Sequence, residues 1–201
     1  MSDNDHDHHD HEHEHEHAEL TEAEARAEAE RLVRKEIALS QIRQYGDPVL
    51  RMRAEPVETF DDELRRVTDR MLGLMHDAEG IGLAATQVGI LRRFFVCTTD
   101  EQDRVLVNPT VTPVGGEMES DLEGCLSLGP VRVPVDRHTR VEVEAFDVEG
   151  NPVSLELEGL AARVVQHELD HLDGTLVIER TDPEARREAL GVLRPRLVLS
   201  P

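Results

Sequence analysis

Apolar and polar positions along this chain change period twice, from helical spacing to strand-like alternation and back. In residues 61–77 apolar side chains recur every three or four positions behind an acidic first turn, which predicts an amphipathic helix. Its apolar face comprises Leu64, Val67, Met71, Leu74 and Met75. Residues 92–157 contain short Val-rich runs, several of them alternating, which predict strands. Helical spacing returns over residues 160–172 and ends at Gly174, and a short helix is predicted at 183–191. This order predicts an α+β domain instead of alternating βαβ units.

Turn signals divide the strand region into shorter units. Gly115 and Gly116 predict one turn, and the sequence Glu-Gly-Asn-Pro at residues 149–152 predicts another. The alternating runs on either side of the second turn, TRVEVEAFDV and VSLELE, predict a single β-hairpin. Gly80 and Gly82 follow the first helix and end it.

The N-terminal part of the chain differs from the rest in composition. Residues 1–18 are dominated by Asp, Glu and His and cannot bury apolar surface, so we expect disorder there. A solvated acidic tail is favoured over a metal-collecting arm, because imidazoles without fixed geometry bind metals promiscuously. Residues 19–41 are rich in Ala, Glu and Arg and predict a helical extension, with Thr21 and Glu24 forming a capping box. The main folded domain is then expected over residues 42–201.

Acidic residues outnumber basic ones throughout the 201-residue chain, which has a formal net charge of −21. Residues 1–36 hold 13 acidic and 4 basic residues, and the remainder holds 30 and 18, so the folded part is acidic too. Such a surface argues against nucleic acid and anionic membranes as partners. Lys35 is the single lysine. The acidic, lysine-poor composition resembles that of proteins from salt-accumulating halophiles, in which salt screens self-repulsion.

Other features indicate a cytoplasmic protein. Two cysteines, Cys97 and Cys125, are too few for a disulfide framework in a chain of this length. No apolar run approaches the roughly 20 residues that span a bilayer. The first twenty residues lack the basic and apolar regions of a signal peptide.

The sequence VVQHELDHLDG, residues 164–174, contains the pattern H-E-x-x-H. Histidines four apart on a helix lie on one face, at a separation that a single metal ion can bridge. Glu168 lies near the same face and could exchange a proton with a metal-bound water. The alternative is a polar helix surface with two solvated histidines, but the apolar flanks indicate a partly buried helix, where an imidazole pair needs partners.

Two ligands do not define a metal site, and the third is open from the residues alone. No histidine follows His171, and Val177 stands where the metzincin pattern requires one. Glu179 or Glu184 could serve. Cys125, in the sequence EGCLS, is a better candidate because thiolate is a good ligand for Zn²⁺ or Fe²⁺. Cys97 lies in the apolar run FFVC and is better explained as a small buried hydrophobe.

A third stretch, GIGLAATQ at residues 80–87, has small residues that allow a backbone to approach a ligand closely, and an amide, Gln87, that can donate to an oxygen. The three stretches in this order resemble the three motifs of the peptide deformylases. The resemblance extends from about Tyr45 to near Arg180. It departs at Pro130, which stands one residue later than the proline that commonly follows the serine of the second motif.

The resemblance implies a fold, an activity and a set of site residues. The fold is α+β, with antiparallel or mixed sheets around a central metal-binding helix. The activity is metal-dependent removal of the formyl group from the N-terminal methionine of peptides, releasing formate. One divalent ion would be bound by Cys125, His167 and His171, with Fe²⁺ preferred and Zn²⁺ or Ni²⁺ as substitutes. Glu168 would transfer the proton.

Further roles follow from the resemblance for residues around the metal. The side-chain amide of Gln87 and the backbone N–H of Leu126 would stabilise the oxyanion. Gly82 would pair with an extended substrate, Ile81 would border the pocket for methionine with Leu126 and His167, and Arg132 would lie beside the cleft. The partners implied are N-formylated peptides, including nascent chains at the ribosome.

Two other functions use the same features. A zinc endopeptidase would need a third ligand other than Cys125. A non-enzymatic metal-handling protein would depend on the His-rich tail. The peptide deformylase motifs favour the hydrolase over both.

Overall fold

A computed structural model describes residues 21–194 of the chain. The predicted tail over residues 1–18 and the last seven residues of the predicted catalytic domain lie outside this range. Within it the elements run α1 (Glu22–Ser40), α2 (Asp62–Asp77), β1 (Gly82–Ala84), β2 (Phe94–Thr99), β3 (Gln102–Pro113), β4 (Met118–Gly124), β5 (Arg132–His138), β6 (Arg140–Phe146), β7 (Pro152–Glu158), α3 (Gly159–Leu172) and α4 (Pro183–Leu193). The α+β class is confirmed.

The strands form two antiparallel sheets. Five strands are ordered β1-β2-β3-β6-β7, and β4 pairs with β5 alone. The predicted hairpin is confirmed, because β6 and β7 pair from Arg140 opposite Glu158 to Phe146 opposite Pro152. In the described residues the single parallel pairing is an isolated bridge between Glu55 and Arg92.

Helices cover both faces of the larger sheet. Successive side chains of a strand point to opposite faces, so β2 sends Phe95 and Cys97 toward α3, and Phe94 and Val96 toward α2. Both sets are buried, which explains why this strand is a continuous apolar run. A third apolar cluster lies between β5 and the segment from Leu176 to Leu193, and it includes Val135 and Ile178.

Local sequence signals determine the ends of the helices. Thr21 and Glu24 form the predicted capping box of α1. Asp61 caps α2, whose predicted apolar face is buried except at Val67, which is partly buried. Asp182 caps α4 and accepts hydrogen bonds from the backbone at residues 184 and 185. Among the described residues each helix is either too short or too polar to traverse a lipid bilayer.

Two strands lack a recognisable pattern in the sequence. β1 has only three residues. In β4 every residue is exposed except Glu123. β4 is held by its ladder to β5, whose alternate residues Val133 and Val135 are buried. The conformation of β4 is therefore set by its pairing with β5 and not by its own side-chain pattern.

Gly174 provides a test of how α3 is joined to the following segment. Its φ is +73°, and a Cβ there would lie 2.7 Å from the Arg51 carbonyl oxygen. We expect Gly174→Ala to lower the free energy of unfolding by at least about 2 kcal/mol, through left-handed strain and this overlap. Gly116→Ala is the control, since its Cβ would meet no atom within 4 Å. Urea denaturation measures both, and equal stability of the two variants would contradict the prediction.

Candidate metal centre and active site

Helix α3 carries the H-E-x-x-H pattern on its inner side. The rings of His167 and His171 have centroids 5.0 Å apart and an interplanar angle of 70°. His171 is 1% exposed. The apolar residues of the helix, including Val165 and Leu172, pack against the larger sheet and fix the height of the two rings above it.

Cys125 is brought to these two histidines by the end of β4. Its Sγ lies 3.2 Å from Nε2 of His171, and one donor atom from each of Cys125, His167 and His171 lies within 4.8 Å of the other two. No other group of three such donors occurs in the described part of the chain. Glu179 instead pairs with Arg51, so the downstream carboxylate considered as third ligand is engaged elsewhere.

The two cysteines have opposite environments. Burial raises the pKa of the Cys97 thiol to about 12, which agrees with its interpretation as a small buried hydrophobe. Burial acts in the same direction on Cys125, but the neighbouring rings of His171 and His167 outweigh it and lower its pKa to about 5. The thiolate is the form that binds metals, so Cys125 is poised as a ligand.

Glu123 orients the first histidine. Its Oε2 lies 2.8 Å from Nδ1 of His167, so that nitrogen can donate its hydrogen to the carboxylate while Nε2, once deprotonated, would bind a metal. A carboxylate behind a histidine is a common arrangement at metal sites, where it fixes the tautomer and the ring orientation. Burial tends to raise the pKa of Glu123, but His167 and Arg137 lower it to about 2, so the carboxylate is ionised.

Arg137 links this carboxylate to α3. Its Nε and Nη2 each donate to Glu123 at 3.0 Å, and its Nη1 donates to Asp170 at 2.6 Å. Arg163 also donates to Glu123, at 2.9 Å, and Arg180 also contacts Asp170. We call these five side chains (Glu123, Arg137, Arg163, Asp170 and Arg180) the ion network.

Sequence patterns alone assigned no role to the ion network. Glu123 and Asp170 lie inside two of the motifs, two residues before Cys125 and directly before His171, and could have been recognised as orienting groups. Arg137 and Arg163 gave no signal, because an arginine in a strand or helix usually points to solvent. Both are buried here.

Glu168 is the third functional candidate on α3. It is 4% exposed, and its Oε2 has no hydrogen-bond partner among the described residues. Burial is the main cause that raises its pKa to about 7. A carboxylate with such a pKa can both accept and release a proton near neutral pH.

Gly82 makes room for this carboxylate. A Cβ at Gly82 would lie 2.7 Å from Cδ of Glu168, so any other residue would displace the glutamate. Gly82 is also the first residue of β1, which is an edge strand of the larger sheet. The outer side of β1 therefore has backbone N–H and C=O groups with which an extended peptide could pair.

Gln87 and Leu126 lie on the other side of Cys125. Oε1 of Gln87 accepts from the Ala84 backbone at 2.9 Å, which turns Nε2 toward Ser127 Oγ at 3.0 Å and Cys125 Sγ at 3.6 Å. The backbone N–H of Leu126 has no partner within residues 21–194. Both groups can therefore donate to an oxygen beside the cysteine.

One cleft of about 740 Å³ connects these groups. Its walls include Ile81, which is 49% exposed, and Arg132 from the start of β5. Seven of the nine residues selected from the sequence line this cleft, and the other two pack against lining residues, Glu168 against Gly82 and His171 against Cys125. Their chemical roles remain predictions.

Comparison with known proteins decides the family. The family model described as polypeptide deformylase matches residues 39–187. The chain belongs to the peptide deformylase family. Peptide deformylase 1 of Corynebacterium efficiens is 44% identical over 162 residues, covering 79% of this chain and 96% of that protein. Peptide deformylase of Chromohalobacter salexigens is 46% identical over 158 residues, covering 77% and 93%.

Solved structures of deformylases have the same fold. The crystal structure of the Thermotoga maritima enzyme has a TM-score of 0.69 and 46% identity, covering 71% of this chain and 97% of that one. The Synechococcus elongatus enzyme, solved in complex with actinonin, has a TM-score of 0.72 and 42% identity, covering 76% and 84%. Removal of N-terminal formyl groups is thus the activity of the chain as well as of its relatives.

The ion network can be tested through stability. Arg137→Met would leave Glu123 and Asp170 buried with one cation fewer each. We expect the free energy of unfolding to fall by about 3 kcal/mol or more, because a broken buried ion pair leaves uncompensated charge. The control is Arg65→Met, which removes exposed pairs with Asp62 and Glu149 and should cost under about 1 kcal/mol. Urea unfolding of both at equal metal content is the measurement, and similar costs would argue against the network.

Proposed function

We propose that the chain removes the formyl group from N-terminal methionine by using one divalent metal ion bound to Cys125, His167 and His171. The observation that supports this most directly is the convergence of three donor atoms within 4.8 Å, beside a buried carboxylate with an unpaired oxygen. The family assignment supplies the reaction, and the cluster supplies the residues to perform it.

The donor set suits a borderline or soft divalent ion. One thiolate and two neutral imidazoles are ligands that iron, zinc and nickel accept, whereas magnesium and calcium prefer oxygen. We propose Fe²⁺ as the native ion, with Zn²⁺ or Ni²⁺ as substitutes. When bound with an open position, such an ion acts as a Lewis acid and lowers the pKa of a coordinated water.

Glu168 is proposed to move the proton. Water adds to the formyl carbon, and Glu168 accepts the proton that this water gives up. The bond between the formyl carbon and the α-nitrogen then breaks, and Glu168 returns the proton to the departing amine. The products are formate and a free N-terminus. Burial raises the pKa of Glu168 to about 7, near neutral pH. This value suits a group that must first accept a proton and then release it.

Gln87 and Leu126 are proposed to stabilise the negative charge that develops on the formyl oxygen. The Gln87 amide has two hydrogens, and its Nε2 lies 3.0 Å from Ser127 Oγ and 3.6 Å from Cys125 Sγ, so the hydrogen on the cysteine side is the one proposed to reach the formyl oxygen. The Leu126 N–H lies next to Cys125 in sequence. Donors fixed in this way need no rearrangement during the reaction, which is the basis of their effect on rate.

The substrate is proposed to lie along the free edge of β1. Gly82 pairs with its backbone, and Ile81, Leu126 and His167 border the methionine side chain. Arg132 also lines the cleft and can donate to a carbonyl or carboxylate oxygen of the peptide. Backbone pairing supplies affinity without sequence preference, which suits an enzyme that must accept many N-termini.

The cellular setting is also a proposal. Nascent chains at the ribosome would supply formylated N-termini, so we place the enzyme in the cytoplasm. The net charge of −21, much of it outside the tail, leads us to propose that the protein works at high salt concentration. The remaining candidate functions receive less support. A zinc endopeptidase would need a third metal ligand different from Cys125. A metal-handling function would rest on the His-rich tail, which lies outside the described residues.

Replacing the thiolate tests the metal site. Cys125→Ala should reduce bound iron from one equivalent per chain to a small fraction after anaerobic gel filtration, because two imidazoles alone bind weakly. Cys97→Ala is the matched control and should retain the full equivalent. Metal content is measured by mass spectrometry, and full occupancy of Cys125→Ala would rule out this ligand set.

Replacing the carboxylate tests the proton transfer. Glu168→Gln should keep one metal equivalent yet lower kcat for formate release from formyl-Met-Ala by about 10²–10⁴-fold. Glu158→Gln, at the exposed start of α3, should remain close to the wild type. The assay uses the Fe²⁺ form without oxygen, in molar salt. A Glu168→Gln variant with normal kcat would exclude the assigned role.

A further inference from the structure

Helix α1 lies almost wholly outside the part of the chain that matches the family. The match begins at residue 39, whereas the helix runs from Glu22 to Ser40. It is nevertheless fixed to the body. Ala38 is buried in the cluster of α2, and Gln41, just after the helix, accepts a hydrogen bond of 2.7 Å from Arg70. The helix is therefore an addition to the family fold with a defined position.

The C-terminal half of α1 reaches the active-site cleft. Lys35 and Leu39, one helical turn apart, line the same cleft as Gly82, Gln87 and Cys125. Leu39 is half-buried against the apolar cluster of α2, and 35% of the Lys35 side chain is exposed. A cleft of about 740 Å³ is in the range of sites for drug-sized ligands, which exceeds the needs of formyl-methionine alone.

Two cations of α1 hold the loop that leads into β1. Lys35 Nζ lies 2.6 Å from Oε2 of Glu79, and Arg31 contacts the other oxygen of the same carboxylate. Glu79 has a φ of +59°, a conformation that a non-glycine residue adopts at a cost. The helix thus fixes the residue three positions before Gly82.

Antiparallel pairing with β1 would bring the substrate toward this loop. The formyl end must lie at the cluster of Cys125, His167 and His171, near Gly82. A peptide that pairs antiparallel with β1 then runs from Gly82 back toward Gly80 and Glu79. At about 3.3 Å per residue, two or three substrate residues after methionine cover this distance.

We propose that α1 forms the distal wall of the peptide cleft, where Lys35 and Leu39 contact the residues that follow the substrate's methionine. This inference rests on the proposed function. The ammonium of Lys35 has three hydrogens, so it can bind Glu79 and still donate to a peptide carbonyl oxygen. Leu39 offers apolar surface to a substrate side chain. Both contacts tolerate many substrate sequences, so we expect the enzyme to prefer longer peptides over shorter ones without selecting particular side chains.

Activity on peptides of different length tests the proposal. The measured quantity is the ratio of kcat/KM for formyl-Met-Ala-Ala-Ala to kcat/KM for formyl-Met-Ala. Lys35→Met, which keeps the apolar stem, should lower this ratio about 5-fold, the effect of one net hydrogen bond. The loss should appear mainly in KM, because the contact is made equally in the ground and transition states. Leu39→Ala should lower the ratio in the same way.

Arg34→Met is the matched control, since Arg34 is an exposed residue of the same helix and does not line the cleft. Its ratio should equal that of the wild type. If Lys35→Met loses helix content by circular dichroism, the decision rests on Leu39→Ala, which keeps the contacts to Glu79. An unchanged ratio in a folded variant would overturn the proposal. Absence of formate from every peptide with the wild-type iron form would instead refute the proposed function, and the inference with it.

Discussion

The contact between Arg137 and its two carboxylates is the interaction on which the site depends. Arg137 stands on β5, Glu123 on β4 and Asp170 on α3, so a single guanidinium joins the smaller sheet to the helix with the histidines. Cys125 follows Glu123 by two residues, and His171 follows Asp170 directly. The fork of the guanidinium therefore fixes the separation between the cysteine and the imidazoles.

The value of such a network lies in geometry more than in stability. Buried ion pairs gain little over well-packed apolar residues of similar size, because both partners lose hydration. An apolar replacement could hold the sheet against the helix, but it could not hold the Nδ1 hydrogen of His167 or select its tautomer. Here the same carboxylate, Glu123, accepts from both Arg137 and His167. Glu123 thus both joins β4 to Arg137 and orients the His167 ring.

Close packing at Gly82 connects the sheet edge to the carboxylate of Glu168. The absence of a side chain lets Glu168 approach the backbone of β1, and burial of Glu168 in turn raises its pKa. The same residue leaves the outer side of the strand free for a peptide. The proposed proton transfer and the proposed substrate pairing are therefore placed next to each other by one glycine. The helix α1 extends this arrangement outward, with Lys35 and Arg31 fixing Glu79 ahead of the strand.

The sequence by itself determined the periodic elements and the ligand types of this protein. The apolar face of α2, the hairpin of β6 and β7, and the capping box at Thr21 follow from local spacing, which acts over a few residues. The two histidines on one face of α3 follow from the helical repeat. The motif resemblance added Cys125, which spacing had left open beside Glu179 and Glu184.

Only the tertiary structure decided how the distant parts meet. β4 exposes every side chain except that of Glu123 and becomes a strand through its pairing with β5, so no hydrophobic periodicity predicts it. The burial of Arg137 and Arg163 depends on carboxylates from other elements, which a local pattern does not contain. The position of α1 beside the cleft depends likewise on contacts to Glu79, 44 residues from Lys35. Long-range pairing of charges and strands is fixed by the whole fold, because its energy is gained only after the chain has closed those distances.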